Sequence, residues 1–201
     1  QQGAEVAEAL LLEELNLLPA AKTRDKNAVA PKDNMRISDE LRQDFDYIVI
    51  DSPAGIERGF KNAIAPADEV VIITNPEVSA VRDADRIIGL VEAEQKGPAK
   101  LVVNRINTEM VERGDMLAVA DVLELLAVDL IGIVPDDTAV LVSTNKGAPI
   151  ALEPKSKTGQ AFRDIARRLS GEEVPFSASN GNAGFLGRLS KLIGSKEGRN
   201  A

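Results

Sequence analysis

Asp51 closes the apolar run Tyr47-Ile48-Val49-Ile50 and is followed by Ser52-Pro53-Ala54-Gly55. A carboxylate there offers hard oxygen to Mg²⁺ or its water shell. Gly55 lets backbone N–H groups come close to a terminal phosphate. The plain alternative is an aspartate capping the next helix. A second run, Leu101-Val102-Val103, ends in Asn104-Arg105. The Asn104 amide sets a donor beside an acceptor, which matches the N6/N7 edge of adenine, although loop asparagines are also common structural residues. A third run, Ile131-Gly132-Ile133-Val134, ends in Pro135-Asp136-Asp137, whose backbone can flank a purine or simply turn. In Ile73-Thr74-Asn75-Pro76-Glu77-Val78-Ser79, Pro76 stops a strand and Ser79 caps the next helix, which reads as an ordinary connection.

Composition narrows the chemistry. The 201 residues include no cysteine and no histidine. Disulfides, thiolate metal sites, cysteine nucleophiles, histidine triads and His-ligated zinc are therefore excluded. Aromatic residues are 3% of the chain, too few for a base-stacking platform, and the net charge of −8 speaks against general DNA affinity. No run of eighteen apolar residues occurs, and no glycine-rich phosphate loop ending in Lys-Ser/Thr is present. The start, Gln1-Gln2-Gly3-Ala4-Glu5, has neither Met nor a signal core, and is expected to lie inside a longer protein.

The elements that must hold these residues follow from periodicity. Of the apolar runs at 15–18, 47–50, 70–73, 101–103 and 130–134, the last four are rich in Val and Ile and hardly alternate. Such runs predict strands buried on both faces, as in parallel sheets. Val81, Ala84, Ile88 and Val91 form a helical stripe beginning after Ser79. Val119, Val122, Leu123 and Leu126 form a second, and Phe162, Ile165, Ala166 and Leu169 a third. Alternating strands and helices predict an α/β fold, a mostly parallel sheet with helices on both faces, and ligands bind such sheets at the carboxyl ends of the strands. The expected domain spans 1–170, with a Gly/Ser/Asn-rich linker over 171–183. An amphipathic helix over 184–194 then precedes a polar end to 201. Phe185, Leu186, Leu189, Leu192 and Ile193 fall on one helical face, with Arg188 and Lys191 off it. Four basic residues in this tail oppose Glu197 alone, which suits an anionic membrane surface. The plain alternative is a helix docked on the protein's own core.

Taken together the segments resemble the deviant Walker A ATPases of the ParA/MinD family, in the branch that positions the division septum. The resemblance rests on Leu17-Leu18-Pro19-Ala20-Ala21-Lys22-Thr23, on Phe45-Asp46-Tyr47 through Asp51-Ser52-Pro53-Ala54-Gly55-Ile56-Glu57-Arg58-Gly59, and on Thr74-Asn75-Pro76-Glu77-Val78-Ser79-Ala80-Val81-Arg82-Asp83-Ala84-Asp85-Arg86. It continues through Arg113-Gly114-Asp115-Met116-Leu117 and into the tail. The family's opening strand and its phosphate loop with two lysines have no counterpart here. What the resemblance implies is a P-loop NTPase-like fold lacking the first strands.

It also implies roles. Asp51 would be the switch aspartate near Mg²⁺ and the attacking water, and Pro53 and Gly55 would lie beside the γ-phosphate of ATP. Asn104 and Arg105 would sit at the adenine, with Pro135 and Asp136 on its other side. Glu77, Ser79 and Asp83 would face an ATP-dependent homodimer interface, around which a MinC-like inhibitor and a MinE-like activator bind. The protein would be cytoplasmic and peripheral on the inner membrane, or the plastid equivalent. Its ATPase chemistry is phosphoryl transfer by positioning and electrostatics, which needs neither histidine nor cysteine. This chain alone is expected to bind ATP poorly and to aggregate. Two other readings are a non-hydrolysing scaffold and a DNA-partitioning relative, the latter opposed by the acidic charge and the tail.

Overall fold

The computed structural model describes residues 16–18, 30–52, 55 and 58–176. In chain order the elements are α1 (Pro31–Leu41), α2 (Arg58–Ile64), β1 (Val70–Thr74), α3 (Val78–Ala93), β2 (Ala99–Ile106), α4 (Thr108–Arg113), α5 (Val119–Leu126), β3 (Asp129–Pro135), α6 (Thr138–Asn145), a 3₁₀ turn (Ile150–Leu152) and α7 (Lys157–Leu169). The strands pair in parallel in the order β1-β2-β3. Parallel neighbours require crossover connections, and α3 and α5 supply them.

Helices cover both faces, as the continuous apolar runs predict. On one face Val81, Ala84 and Ile88 of α3 and Val119, Val122 and Leu126 of α5 enclose Ile72, Leu101, Val103 and Ile133. On the other face Ile165 of α7 packs on Val102, Ile131 and Val134. Phe60 and Ile64 of α2 extend the core onto Val91 of α3. Leu101, Val103 and Val122 are wholly buried, and each such side chain contributes roughly 1.5–3 kcal/mol on burial. Gly132 brings α7 close to the sheet, because a Cβ there would lie 2.3 Å from Cγ1 of Ile165.

Past α7 the chain turns at Gly171, where φ is +86°, and residues 172–176 are strapped to the domain by Arg168. Its guanidinium donates to the carbonyls of Ile131 (2.9 Å), Val174 (2.9 Å) and Pro175 (3.2 Å) and lies 3.9 Å from the centre of the Phe176 ring. The β2–β3 register skips between Leu101 and Val102, opposite Leu130 and Gly132, which makes Ile131 the extra residue of a bulge. Arg168 thus reaches a carbonyl at a point where the ladder is disrupted. Burial lowers the Arg168 pKa from its usual value, and Asp164 opposes that shift.

Four expectations need correction. Residues 47–50 form no strand; the segment from Phe45 is irregular, and Tyr47, Val49 and Ile50 are exposed. A β-branched run becomes a strand only where a neighbour pairs its backbone, and the described sheet ends at β1. For the same reason β1 is covered on one face only: Ile72 and Thr74 are buried, whereas Val71 and Ile73 are exposed. Ser79 does not cap α3, since Glu77 is the extended N-cap residue and Ser79 already lies in the first turn. On α7 the inward residues are Thr158, Gly159 and Ile165; Phe162 and Ala166 of the expected stripe are exposed. Among the described residues no helix is long and apolar enough to cross a membrane.

Candidate functional site

The loops after the three strands are stitched to one another. The Leu117 N–H, at the entry to α5, donates to the carbonyl of buried Pro76 at 3.2 Å, which joins the loop after β1 to the segment after α4. The Asp136 N–H donates to the Ile106 carbonyl at 3.0 Å, which joins the ends of β3 and β2. One edge of the sheet therefore carries a continuous rim, at the carboxyl ends where parallel sheets bind ligands.

Asn104, Arg105, Pro135 and Asp136 come together on this rim. From Val103 to Ile106 β2 advances three residues, while β3 advances two, from Ile133 to Pro135. Asn104 and Arg105 occupy the resulting bulge. Arg105 takes φ +57°, the left-handed region that costs a branched or long side chain about 1–2 kcal/mol. Bulges re-aim side chains next to functional sites, and strained residues persist only where the surroundings enforce them. Arg105 Nε also donates to Asp136 Oδ1 at 3.1 Å across the two strand ends. Both side chains of that pair are substantially exposed, so the pair itself contributes little, about 0–1 kcal/mol.

Asp137 holds the same loop from beneath. Its Oδ1 accepts from the Ala139 N–H at 2.8 Å, capping α6, and its Oδ2 accepts from the Thr158 hydroxyl at 2.6 Å. The Thr158 bond, then the Ala139 bond, keep the Asp137 carboxyl below its usual pKa against a smaller opposing effect of burial. Sequence reasoning did not single out either residue as functional. The Asx cap was legible in Asp137-Thr138-Ala139, but nothing local points to Thr158.

Glu77, the N-cap residue of α3, and Ser79 and Asp83 in its first turns are exposed. Ser79 and Asp83 are one helical turn apart and share a face. Asp51 is exposed in the irregular segment rather than at the end of a strand. Gly55 adopts φ +97°, a conformation that L side chains rarely take. Pro53 lies outside the described residues, as do Phe185, Leu186, Arg188, Leu189, Lys191, Leu192 and Ile193.

No protein-family model matches the chain. Among curated proteins it is 55% identical over 166 residues to the septum site-determining protein MinD of Synechocystis, covering 82% of this chain and 62% of that protein. It is 47% identical over 182 residues to that of Bacillus subtilis, covering 90% and 68%. Among solved structures it resembles the MinD cell division protein of Aquifex aeolicus, with a TM-score of 0.73 and 45% identity over 80% of this chain and 66% of that one. It also resembles the Aquifex MinC:MinD complex, with a TM-score of 0.72 and 45% identity over 75% and 63%. The chain thus spans less than two thirds of the Synechocystis relative's length. With nearly half its residues shared over more than two thirds of the Bacillus protein, and with the same parallel α/β core, the chain belongs to the MinD family of septum site-determining proteins.

Proposed function

We propose that the whole protein is an ATP-driven, membrane-binding switch that places the division site. The observation that carries this reading is the joined end of β2 and β3. There Asn104, Arg105, Pro135 and Asp136 converge on one rim, with the Arg105–Asp136 pair across it. The residues fit a purine: Asn104 is half-buried and offers an amide donor beside an acceptor, and a bulge sets the backbone on either side. They also fit Mg²⁺. Among the described residues no cluster of three carboxylates forms a dedicated cage. Mg²⁺ is usually held by one or two carboxylates together with substrate phosphates, and exposed Asp51 suits that arrangement.

In this reading Asn104 and Arg105 bind one side of the adenine, and Pro135 and Asp136 bind the other. Pro53 and Gly55 would lie beside the γ-phosphate, and Asp51 would hold Mg²⁺ through its water shell and orient the attacking water. ATP and Mg²⁺ supply the phosphoanhydride and the charge neutralisation, so the protein's part is positioning. Glu77, Ser79 and Asp83 form the dimer and partner face. A MinC-like inhibitor binds there, and a MinE-like activator acts on the same region; the Aquifex MinC:MinD complex supports a MinC partnership for a relative.

The tail over 184–194 is the membrane anchor. One tail binds weakly, because ordering a short helix offsets much of the gain from burying Phe185, Leu186, Leu189, Leu192 and Ile193. Two tails on one ATP-held dimer gain on the order of 10²–10⁴ by effective concentration. The test is co-sedimentation of full-length protein with anionic vesicles in ATP or ADP, with and without Leu189→Glu. The expected result is ATP-dependent binding that Leu189→Glu abolishes. Binding that survives Leu189→Glu removes the tail as anchor, and equal binding in ADP removes the dimer as the source of avidity.

A further inference from the structure

We infer that Thr158 is a positioning residue for the nucleotide base, acting through Asp137; the inference rests on the ATP-binding reading above. The loop from Pro135 to Asp137 has three tethers. Two lie at the rim: the Asp136 N–H to the Ile106 carbonyl, and the exposed Arg105–Asp136 pair. The third is the Asp137 carboxylate, which spends one oxygen on the Ala139 N–H and the other on Thr158. Thr158 is almost completely buried, at 1% exposure. Its bond to Asp137 is charge-assisted and part-buried, and such a bond is stronger than an exposed ion pair screened by salt.

The far end of this latch is rigid. Ser156 caps α7 by accepting from the Gly159 N–H at 2.9 Å. Gly159 is packed so closely that a Cβ would sit 2.3 Å from the Ile150 carbonyl oxygen. Thr158, between them, is a fixed post at the start of α7. Asp137 transmits its position to Pro135 and Asp136, the residues assigned to one side of the base. Thr158 itself touches no nucleotide in this scheme. Releasing the latch lets the loop leave its binding position, and a loop in place about one tenth of the time weakens apparent affinity about tenfold.

The experiment uses the full-length protein with Thr158→Val, which keeps the shape and removes the donor, and Thr158→Ser, which keeps the donor. Dissociation constants are measured for ATP, GTP and inorganic triphosphate with Mg²⁺, and melting temperatures are recorded alongside. Thr158→Val is expected to weaken ATP about tenfold, to narrow the preference for ATP over GTP, and to leave inorganic triphosphate unchanged; Thr158→Ser restores the wild-type values. Should Thr158→Val not fold, Asp137→Asn takes its place, since it keeps the acceptor for Ala139 and weakens the bond to Thr158; the same narrowing is expected. An unchanged ATP-to-GTP ratio in the folded variant overturns the inference, as does equal weakening of inorganic triphosphate. If the wild-type protein binds no ATP, the ATP-switch reading falls and takes this one with it; if it binds ATP and the variant behaves identically, only this one falls.

Discussion

Gly132→Ala tests how tightly α7 is seated on the sheet. A Cβ at position 132 would stand 2.3 Å from Ile165 Cγ1, 2.4 Å from Ile165 Cδ1 and 3.5 Å from Val102 Cγ2. Carbon atoms settle at about 3.5–4.0 Å, so the contact with Val102 is acceptable and both contacts with Ile165 are not. Ile165 is buried between α7 and β3, so it must change rotamer or carry the helix outward. Overpacking of this kind costs about 1–3 kcal/mol. Replacing glycine reduces the entropy of the unfolded chain and returns about 0.4–1 kcal/mol. The net expectation is a loss of about 1–2 kcal/mol, which for a domain of this size lowers Tm by about 2–8 °C.

Urea denaturation with Gly132→Ala, Ile165→Ala and the double variant separates steric strain from other effects. Ile165→Ala alone should cost about 2–5 kcal/mol, because it leaves a cavity. In the double variant the new methyl group occupies part of that cavity and meets neither offending atom. The double variant should therefore be more stable than the sum of the singles, by about 0.5–3 kcal/mol. A midpoint for Gly132→Ala equal to wild type, or additivity within about 0.5 kcal/mol, would refute the argument. The outcome also bears on the rim, because Thr158 lies two turns before Ile165 on the same helix, about 10 Å along its axis.

Three further outcomes are expected. The lowered pKa of Asp137 means that its stabilising contribution is fully present above its unfolded value of 3.8 and is lost as pH falls from there through the folded value; acid titration of stability should show this loss in wild type and a shallower one in Thr158→Val. Arg168→Ala should cost about 2–4 kcal/mol, since it removes charged donors from three carbonyls and a cation–π contact, and amide exchange at 172–176 should rise; Arg168→Lys should not rescue it, because an ammonium lacks the planar fork. Ile73→Glu should make the 201-residue chain more monodisperse in light scattering, because Ile73 is 66% exposed on the uncovered face of β1, and an unchanged size distribution would show that this face does not drive association.

What the sequence disclosed and what it withheld divide along the range of the interactions involved. Tyr47-Ile48-Val49-Ile50 and Val70-Val71-Ile72-Ile73 are nearly the same text, yet only the second is a strand, paired over five positions from Val70↔Ala99 to Thr74↔Val103. The difference is the presence of a partner, which composition does not encode. β2 and β3 were legible because both their faces are covered, so their central runs, 101–103 and 130–134, carry no polar side chain and no alternation is left to misread. Asn104 and Pro135 were findable for a related reason: two adjacent parallel strands end at the same edge, so residues that follow each run meet without further information.

The supports of that edge were not findable in the same way. Gly132 looks like a flaw in an apolar run until the Ile165 side chain is placed against it. The bond between Thr158 and Asp137 spans 21 residues and two intervening elements, so no spacing rule reaches it. Arg105 carries the same lesson in its backbone. Its left-handed φ follows from the mismatch between three residues of β2 and two of β3, a property of the pair of strands and not of either one. A short motif can therefore name the groups that face a ligand, while the strain and bonds that aim them arise only when distant elements pack. Substitutions at Gly132 and Thr158 should accordingly disturb the rim as much as substitutions at Asn104 and Pro135.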